Sequence, residues 1–386
     1  LRFVSPALKH VVFPLLSKSG YLRHAAGAGP AIVTYHGVFP AGYKVRNSAL
    51  DGNLVHADSF RRQLRLLKKH YQVISPERFL QWSQGELVLP SRSILLTCDD
   101  ALRSTLTEMV PILRELDLSC LFFATGASAD KMPSSPMLWP MLWYEELYLM
   151  LLEASDPIVL GLPEAGISLG PIASNAKHSA WWNLVERLSQ FNGQSRPGFL
   201  DQIRAQLGLA GDWRSRFVQD LSLAARFLIL DRDGLQQLTA AGMTIGAHSL
   251  SHPILARTSE ELAWQEISES RSVLENALGQ MVWAFAYPFG NAATVTWRDL
   301  KFAEQAGFRC AFMNVGGGFG SKMIGAKIVD TKIVDTKINR FALPRVHVTA
   351  DMSLSEFEAH ISGFYRSLRQ RLLSGDVDEL GAVEGS

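Results

Sequence analysis

The sequence predicts an α/β fold built on a parallel sheet or barrel, and three observations predict it. Short runs that are apolar on both faces alternate with stretches of helical periodicity, the pattern of parallel strands covered by helices. Strand, helix, strand in repeated order implies right-handed crossovers. Polar clusters stand directly after several of the runs, where such folds place their chemistry, at the C-terminal strand ends.

The strand-like runs are 31–35, 93–98, 120–124, 243–247, 282–287, 310–312 and 345–348. A helix is expected over 59–70, capped by Asp58 or Ser59, with Phe60, Leu64 and Leu67 on one face. A second over 106–116 carries Pro111, which bends it or marks its first turn. The third, 259–278, opens with Thr258 and Glu261 spaced as a capping box and ends at Gly279, where a left-handed C-cap is wanted. A shorter helix over 301–305 is closed by Gly307. The alternation fails between 129 and about 231, where seven prolines interrupt helical stretches at 143–154 and 181–191. That stretch reads as a mostly helical insertion. The tandem of Lys327-Ile-Val-Asp-Thr331 and Lys332-Ile-Val-Asp-Thr336 is too short for a solenoid and reads as a duplication lengthening a loop or hairpin.

Composition narrows the function. With 38 Lys+Arg against 37 Asp+Glu in 386 residues, no excess cation exists to displace phosphate counterions, which argues against a nucleic-acid binder. At 47% hydrophobic the chain is not disordered. Cys98, Cys120 and Cys310 are odd in number and far apart, suggesting neither a disulfide framework nor a thiolate metal cluster. With no secretory signal legible, they favour a cytoplasmic setting, while the hydrophobic N-terminal segment permits peripheral contact with a membrane. That segment is expected to pack on the domain as a helix.

Five polar clusters follow five of the runs. Asp99-Asp100 sets two carboxylates side by side, which repel unless a cation or proton compensates. Alone, such a pair also fits a solvated turn or a helix cap. His248-Ser-Leu-Ser-His252 places two imidazoles where both can reach one metal ion. With one carboxylate added, they make a facial triad with open positions. Tyr287-Pro288-Phe289-Gly290 combines a rigid turn with a residue that lets backbone approach a ligand. Arg345 and His347 bring a cation and a proton donor, and His36 follows the first strand, where a satisfied core histidine is an equal reading.

Thr97-Cys98-Asp99-Asp100, the His248-x-x-x-His252-Pro253 element and Tyr287-Pro288-Phe289-Gly290 resemble the first three motifs of NodB-type polysaccharide deacetylases, also called carbohydrate esterase family 4. Thr34-Tyr35-His36-Gly37-Val38 resembles the opening of many members. The resemblance covers about 31–128 and 230–350. It implies a distorted (β/α) barrel over 31–128 and 230–365, split by the helical insertion 129–229. An N-terminal helical, amphipathic segment (1–30) precedes it and a tail (366–386) follows. It also implies that Asp100, His248 and His252 hold a divalent metal, most simply zinc, and that Asp99 is the catalytic base. His347 is then the candidate acid. Tyr287, Pro288, Phe289, Gly290, Arg345 and His36 are the expected substrate or oxyanion contacts.

The implied activity is metal-dependent removal of N-acetyl groups from amino sugars of a bacterial-type polysaccharide or glycolipid. A related amidase acting on a small non-sugar amide, or a carbohydrate-binding protein without turnover, are the other readings. Aromatics of the insertion (Trp139, Trp143, Tyr144, Trp181, Trp182) line a sugar groove or fill the inserted core. Three positions depart from the family pattern. Cys98 and Ala101 flank the Asp pair where the family usually has Phe and Gly, and Ala286 stands where an Arg is frequent. Arg345 is expected to supply that missing charge near Asp99.

Overall fold

The structure, a computed structural model, describes residues 5–24, 29–131, 139–315 and 339–368. Its strands are β1 (Ala31–Tyr35), β2 (Gln72–Ile74), β3 (Ser93–Cys98), β4 (Leu121–Ala124), β5 (Ile158–Leu162), β6 (Ile167–Ile172), β7 (Thr244–Ala247), β8 (Ala284–Ala286), β9 (Cys310–Met313), β10 (Leu343–Pro344) and β11 (Val346–His347). Nine of these form one parallel sheet in the order β10-β9-β8-β7-β4-β3-β1-β11, with β2 added against β3.

One segment joins the two ends of that order. Residues 343–347 pair with β9 through Leu343 and Pro344, and with β1 through Val346 and His347. The sheet therefore closes into a barrel whose seam rests on two residues per side, the distorted α/β barrel expected. Apolarity on both faces has a direct cause. Ile94, Leu96 and Cys98 of β3 join the outer core with Phe60, Leu64 and Leu67, whereas Leu95 joins the inner one with Phe123 and Phe312. All three cysteines are free and buried.

Several boundaries shift, each for a local reason. The first long helix is Ala57–His70, so Asp58 lies inside its first turn, favourable to the dipole, and is not its cap. Pro111 falls in the first turn of Val110–Glu115, preceded by a wider turn at Thr105–Met109. The helix Glu260–Leu278 is capped by Ser259, whose Oγ accepts from the Leu262 amide at 3.1 Å. Thr258 instead donates to Leu255 O at 2.7 Å, so the capping box expected there is absent. A capping box does form at Thr296 and Asp299, starting the next helix at Trp297, earlier than expected. Gly279 ends Glu260–Leu278 at φ +65°, as its position predicts.

The stretch after β4 builds its own apolar core. Helices Trp143–Glu153, Lys177–Leu188 and Arg196–Gln206 surround Leu147, Leu184 and Ile203, together with the antiparallel hairpin β5–β6. The sequence showed the first two helices but neither Arg196–Gln206 nor the hairpin. At the other end, Phe13 and Leu22 of the N-terminal helices bury against Ala359. Among the described residues, no helix is long and apolar enough to cross a membrane. The tandem repeat at 327–336 lies outside the described residues.

Candidate active site

The polar clusters read from the sequence converge at the C-terminal ends of β1, β3, β7 and β8. Asp99 and Asp100 follow β3, and both are buried. His248 and His252 follow β7, also buried. Asp100 Oδ1 lies 3.6 Å from His248 Nε2 and 3.5 Å from His252 Nε2. Among the described residues, this trio is the group whose ligand atoms lie within 4.8 Å of one another. Two zinc bonds of ~2.1 Å at a tetrahedral angle separate donor atoms by about 3.4 Å, so the spacing fits one ion with a fourth position open. Asp100 Oδ1 is buried without a hydrogen-bond partner, the condition a ligand oxygen is in before its cation arrives. His248 Nδ1 sits 2.7 Å from Ala286 O. Donation to that carbonyl places the proton on Nδ1 and leaves the Nε2 lone pair facing Asp100.

Asp99 is held differently. Arg345, fully buried, donates from its two terminal nitrogens to both carboxylate oxygens, each at 2.6 Å, and from Nε to Met313 O at 3.3 Å. Burial pushes the Asp99 pKa up, but Arg345, with His248 and His36, outweighs it and the carboxyl stays below its ordinary value. Asp100 is likewise resisted by burial, then carried well below the usual carboxylate range by His252, His36 and His248. Burial lowers His248 to about 4, so its imidazole is neutral and able to bind a metal at neutral pH. The charge expected from Arg345 thus stands beside Asp99, while Ala286 contributes its carbonyl to His248.

The loops that carry these groups are strained. Among the described residues, seven non-glycine positions have positive φ, and five are Asp100 (70°), Ala101 (48°), Ser249 (62°), His252 (57°) and Phe289 (58°). Left-handed backbone at such residues costs on the order of 1–2 kcal/mol each and persists where the surroundings impose it. Ala101 therefore adopts the left-handed backbone that a glycine takes freely. Ala101→Gly exchanges that strain, about 1 kcal/mol, against a lost buried methyl and a freer unfolded chain. Unfolding free energy is expected to move by less than about 1 kcal/mol with metal binding unchanged, as denaturant titration and metal analysis would show.

The inserted region clamps the second histidine. Trp143 Nε1 donates to His252 O at 3.0 Å, and Arg196 donates to Ser251 O at 3.0 Å. Ile254 N donates to Ser189 Oγ at 2.9 Å, and Ser249 Oγ accepts from His252 N at 3.0 Å. Ser251 is held from the barrel side by the Glu266 carboxylate.

The remaining candidates divide. His36 lines the cavity over the cluster, its Nε2 3.9 Å from Asp99 Oδ2. His347 does not line it; its ring packs on His36 at 4.7 Å, one step further from the reacting groups. Of the Tyr287–Gly290 turn, only Phe289 lines the cavity, its ring 4.9 Å from His252. Tyr287 turns into the core, its hydroxyl donating to Phe341 O at 3.0 Å. Pro288 and Gly290 act through backbone alone: a Cβ on Gly290 would sit 2.6 Å from the Asn314 amide. Arg345 likewise does not line the cavity and acts through Asp99. Of the insertion's aromatics, Tyr144, Trp181 and Trp182 line the cavity, with Tyr144 4.7 Å from His252. Trp143 is buried, and Trp139 lies under the Arg103 guanidinium. Asn53, Glu145, Asn291 and Asn314 complete the polar lining. Sequence reasoning missed them because none stands in a motif.

A sequence model of the polysaccharide deacetylase family matches residues 208–311. The match holds both histidines and the Tyr287–Gly290 turn, while Asp99 and Asp100 come from outside it. The resemblance read from the motifs is borne out. A comparison with curated protein sequences finds no match. Among solved structures, the chain is similar to the Streptococcus pyogenes deacetylase PplD in complex with acetate, at 15% identity, 86% of this chain, 97% of that one and TM-score 0.49. IcaB from Ammonifex degensii is similar at 16% identity, 87% and 98% coverage and TM-score 0.48. A de-N-acetylase from Aggregatibacter actinomycetemcomitans is similar at 13% identity, 86% and 99% coverage and TM-score 0.46.

Proposed function

We propose that this chain, which carries a polysaccharide deacetylase domain, is a metal-dependent hydrolase that removes N-acetyl groups from amino sugars of a polysaccharide or glycolipid. The observation that carries the reading is the meeting of Asp100, His248 and His252 with an Arg345-bound Asp99 in one buried cavity. Asp100, His248 and His252 would hold the ion, with zinc the metal that this donor set suits. When bound, it supplies Lewis acidity, polarising an amide carbonyl and making water a stronger acid.

The chain's own groups do the rest. Asp99, kept ionised and oriented by Arg345, accepts a proton from the attacking water. The water oxygen bonds to the acetamide carbon, the C–N bond breaks, acetate leaves, and the amine nitrogen takes up a proton. We assign delivery of that proton to His36, which faces the cavity, and not to His347 behind it. The aromatic wall of Tyr144, Trp182 and Phe289 offers ring faces to a sugar and excludes water.

Acetate release from N-acetylglucosamine oligomers by the zinc-loaded protein, lost on chelation and restored by zinc, is the expected result. A protein that binds zinc stoichiometrically but releases no acetate from any N-acetylated sugar overturns the reading. His36→Gln is expected to lower kcat about 10²- to 10⁴-fold, the usual scale of general acid catalysis. His347→Gln should lower it far less. Steady-state kinetics of the two variants separates the assignments.

A further inference from the structure

We propose that the cavity accepts one N-acetylated amino-sugar residue at the end of a glycan, or carried alone on a small aglycone, and excludes the internal residues of a polymer. The inference rests on the deacetylase reading above and adds the size and position of the sugar. The cavity holds about 190 Å³, below the roughly 300–1,000 Å³ of pockets that bury drug-sized ligands. That leaves room for one ring with its acetamido group, so neighbours on either side would have to lie across the rim.

The rim explains why the space stays small. After β1 the chain contributes Leu50 and Asn53, and the insertion contributes Tyr144 and Trp182. These are parts of one body, because Leu50 belongs to the insertion's apolar core. Arg226, fully buried in the insertion, ties them together. It donates to Asp51 Oδ1 at 2.9 Å and Leu50 O at 2.7 Å on one side, and to both Glu145 oxygens at 2.9 and 3.1 Å on the other. Burial raises the Glu145 pKa, and Arg226 opposes it. Parting the rims would break the two bonds from Arg226 to Asp51 and Leu50 and leave the buried Asp51 carboxylate without its cation, which proteins avoid. The cup is therefore set before substrate arrives and does not open to admit a strand. Trp182 stands edge-on to Phe289 at 5.6 Å, and Phe289 packs on His252. Trp182 thus extends the aromatic wall outward from a metal ligand, where a second ring of a passing chain would have to lie.

The test uses the zinc-loaded full chain and an N-acetylglucosamine hexamer, with acetate counted per chain and its position read by fragmentation mass spectrometry. An alkyl N-acetylglucosaminide serves as the single-sugar probe. Expected is acetate from one terminal residue at least about tenfold faster than from any internal one, with the glycoside also hydrolysed. Hexamers losing acetate from internal residues at comparable rates overturn the proposal and leave the deacetylase reading standing. No acetate from either probe overturns both. Terminal release with the glycoside inert identifies a chain end as the source, and hydrolysis of the glycoside shows that a lone sugar suffices; both support the cup. Trp182→Ala, which shortens the rim, is expected to raise the ratio of internal to terminal acetate release at least about tenfold, whatever it does to overall turnover. Unchanged end preference in that variant removes Trp182 from the rim's role.

Discussion

Asp100→Asn is expected to abolish zinc retention and to lower kcat/KM by at least about a thousandfold, because a Lewis acid contributes several kcal/mol to such a transition state. Asparagine tolerates the left-handed backbone at this position (φ 70°), so the turn survives the change. The substitution also removes one of two adjacent buried carboxylates, and Asp100 Oδ1 has no hydrogen bond to lose. Its carboxylate is nevertheless favoured in the fold by His252, His36 and His248, so near neutral pH the metal-free variant should unfold somewhat earlier than the metal-free parent. Zinc at 100 times its dissociation constant stabilises a folded protein by about 2.7 kcal/mol, so thermal scans should show a zinc-dependent rise in Tm for the parent alone. His248→Ala should lose the metal as well, and likewise unfold earlier, since it abandons Ala286 O and opens a buried gap. Full activity in zinc-loaded Asp100→Asn would remove this carboxylate from the metal site.

Arg345→Gln is expected to act through pH. In the parent, burial raises the Asp99 pKa, while Arg345, helped by His248 and His36, holds it below its ordinary value. Without the cation, burial is opposed only by His248 and His36, so the carboxyl is protonated over a wider range. The acidic limb of kcat/KM against pH should move to higher pH, and activity below neutrality should fall by about tenfold per unit of that displacement. Breaking a buried pair from one side costs about 3–5 kcal/mol, which denaturant titration would report. Arg345→Lys keeps the charge but loses the two-pronged geometry, so it should restore much of the limb's position and less of the rate. A rate loss without any displacement of the limb would assign Arg345 a purely structural role.

The order of the site was legible because its residues follow the strands that carry them. Asp99-Asp100, His248/His252 and Phe289 each stand directly after an apolar run, and a barrel gathers such ends. Arg345 was legible for the same reason, as a cation beside the last strand. Other features depend on how distant segments pack. The sequence alone does not show that His36 faces the cavity while His347 lies behind it, because this depends on register: His347 pairs with Thr34, two residues before His36, one step deeper along the barrel. Nor does it show Arg226, whose partners Asp51 and Glu145 lie 175 and 81 residues away. Cap positions failed by one or two residues for a smaller reason: Thr258 and Ser259 both offer a hydroxyl, and local geometry chose the second.

The seam formed by residues 343–347 has a consequence for synthesis. β1 finds its β11 partner, and Asp99 its Arg345, across most of the chain, 246 residues in the latter case. Closing so long a loop carries an entropic cost that only the finished barrel offsets, so these contacts form late. A nascent chain that has reached residue 300 already contains Asp99 and the trio of Asp100, His248 and His252. It still lacks the cation that orients the base and the strand that completes the wall. On the proposed reading, hydrolytic competence therefore waits for residues 343–347, and a chain that stops before them is silent even with a metal ion captured.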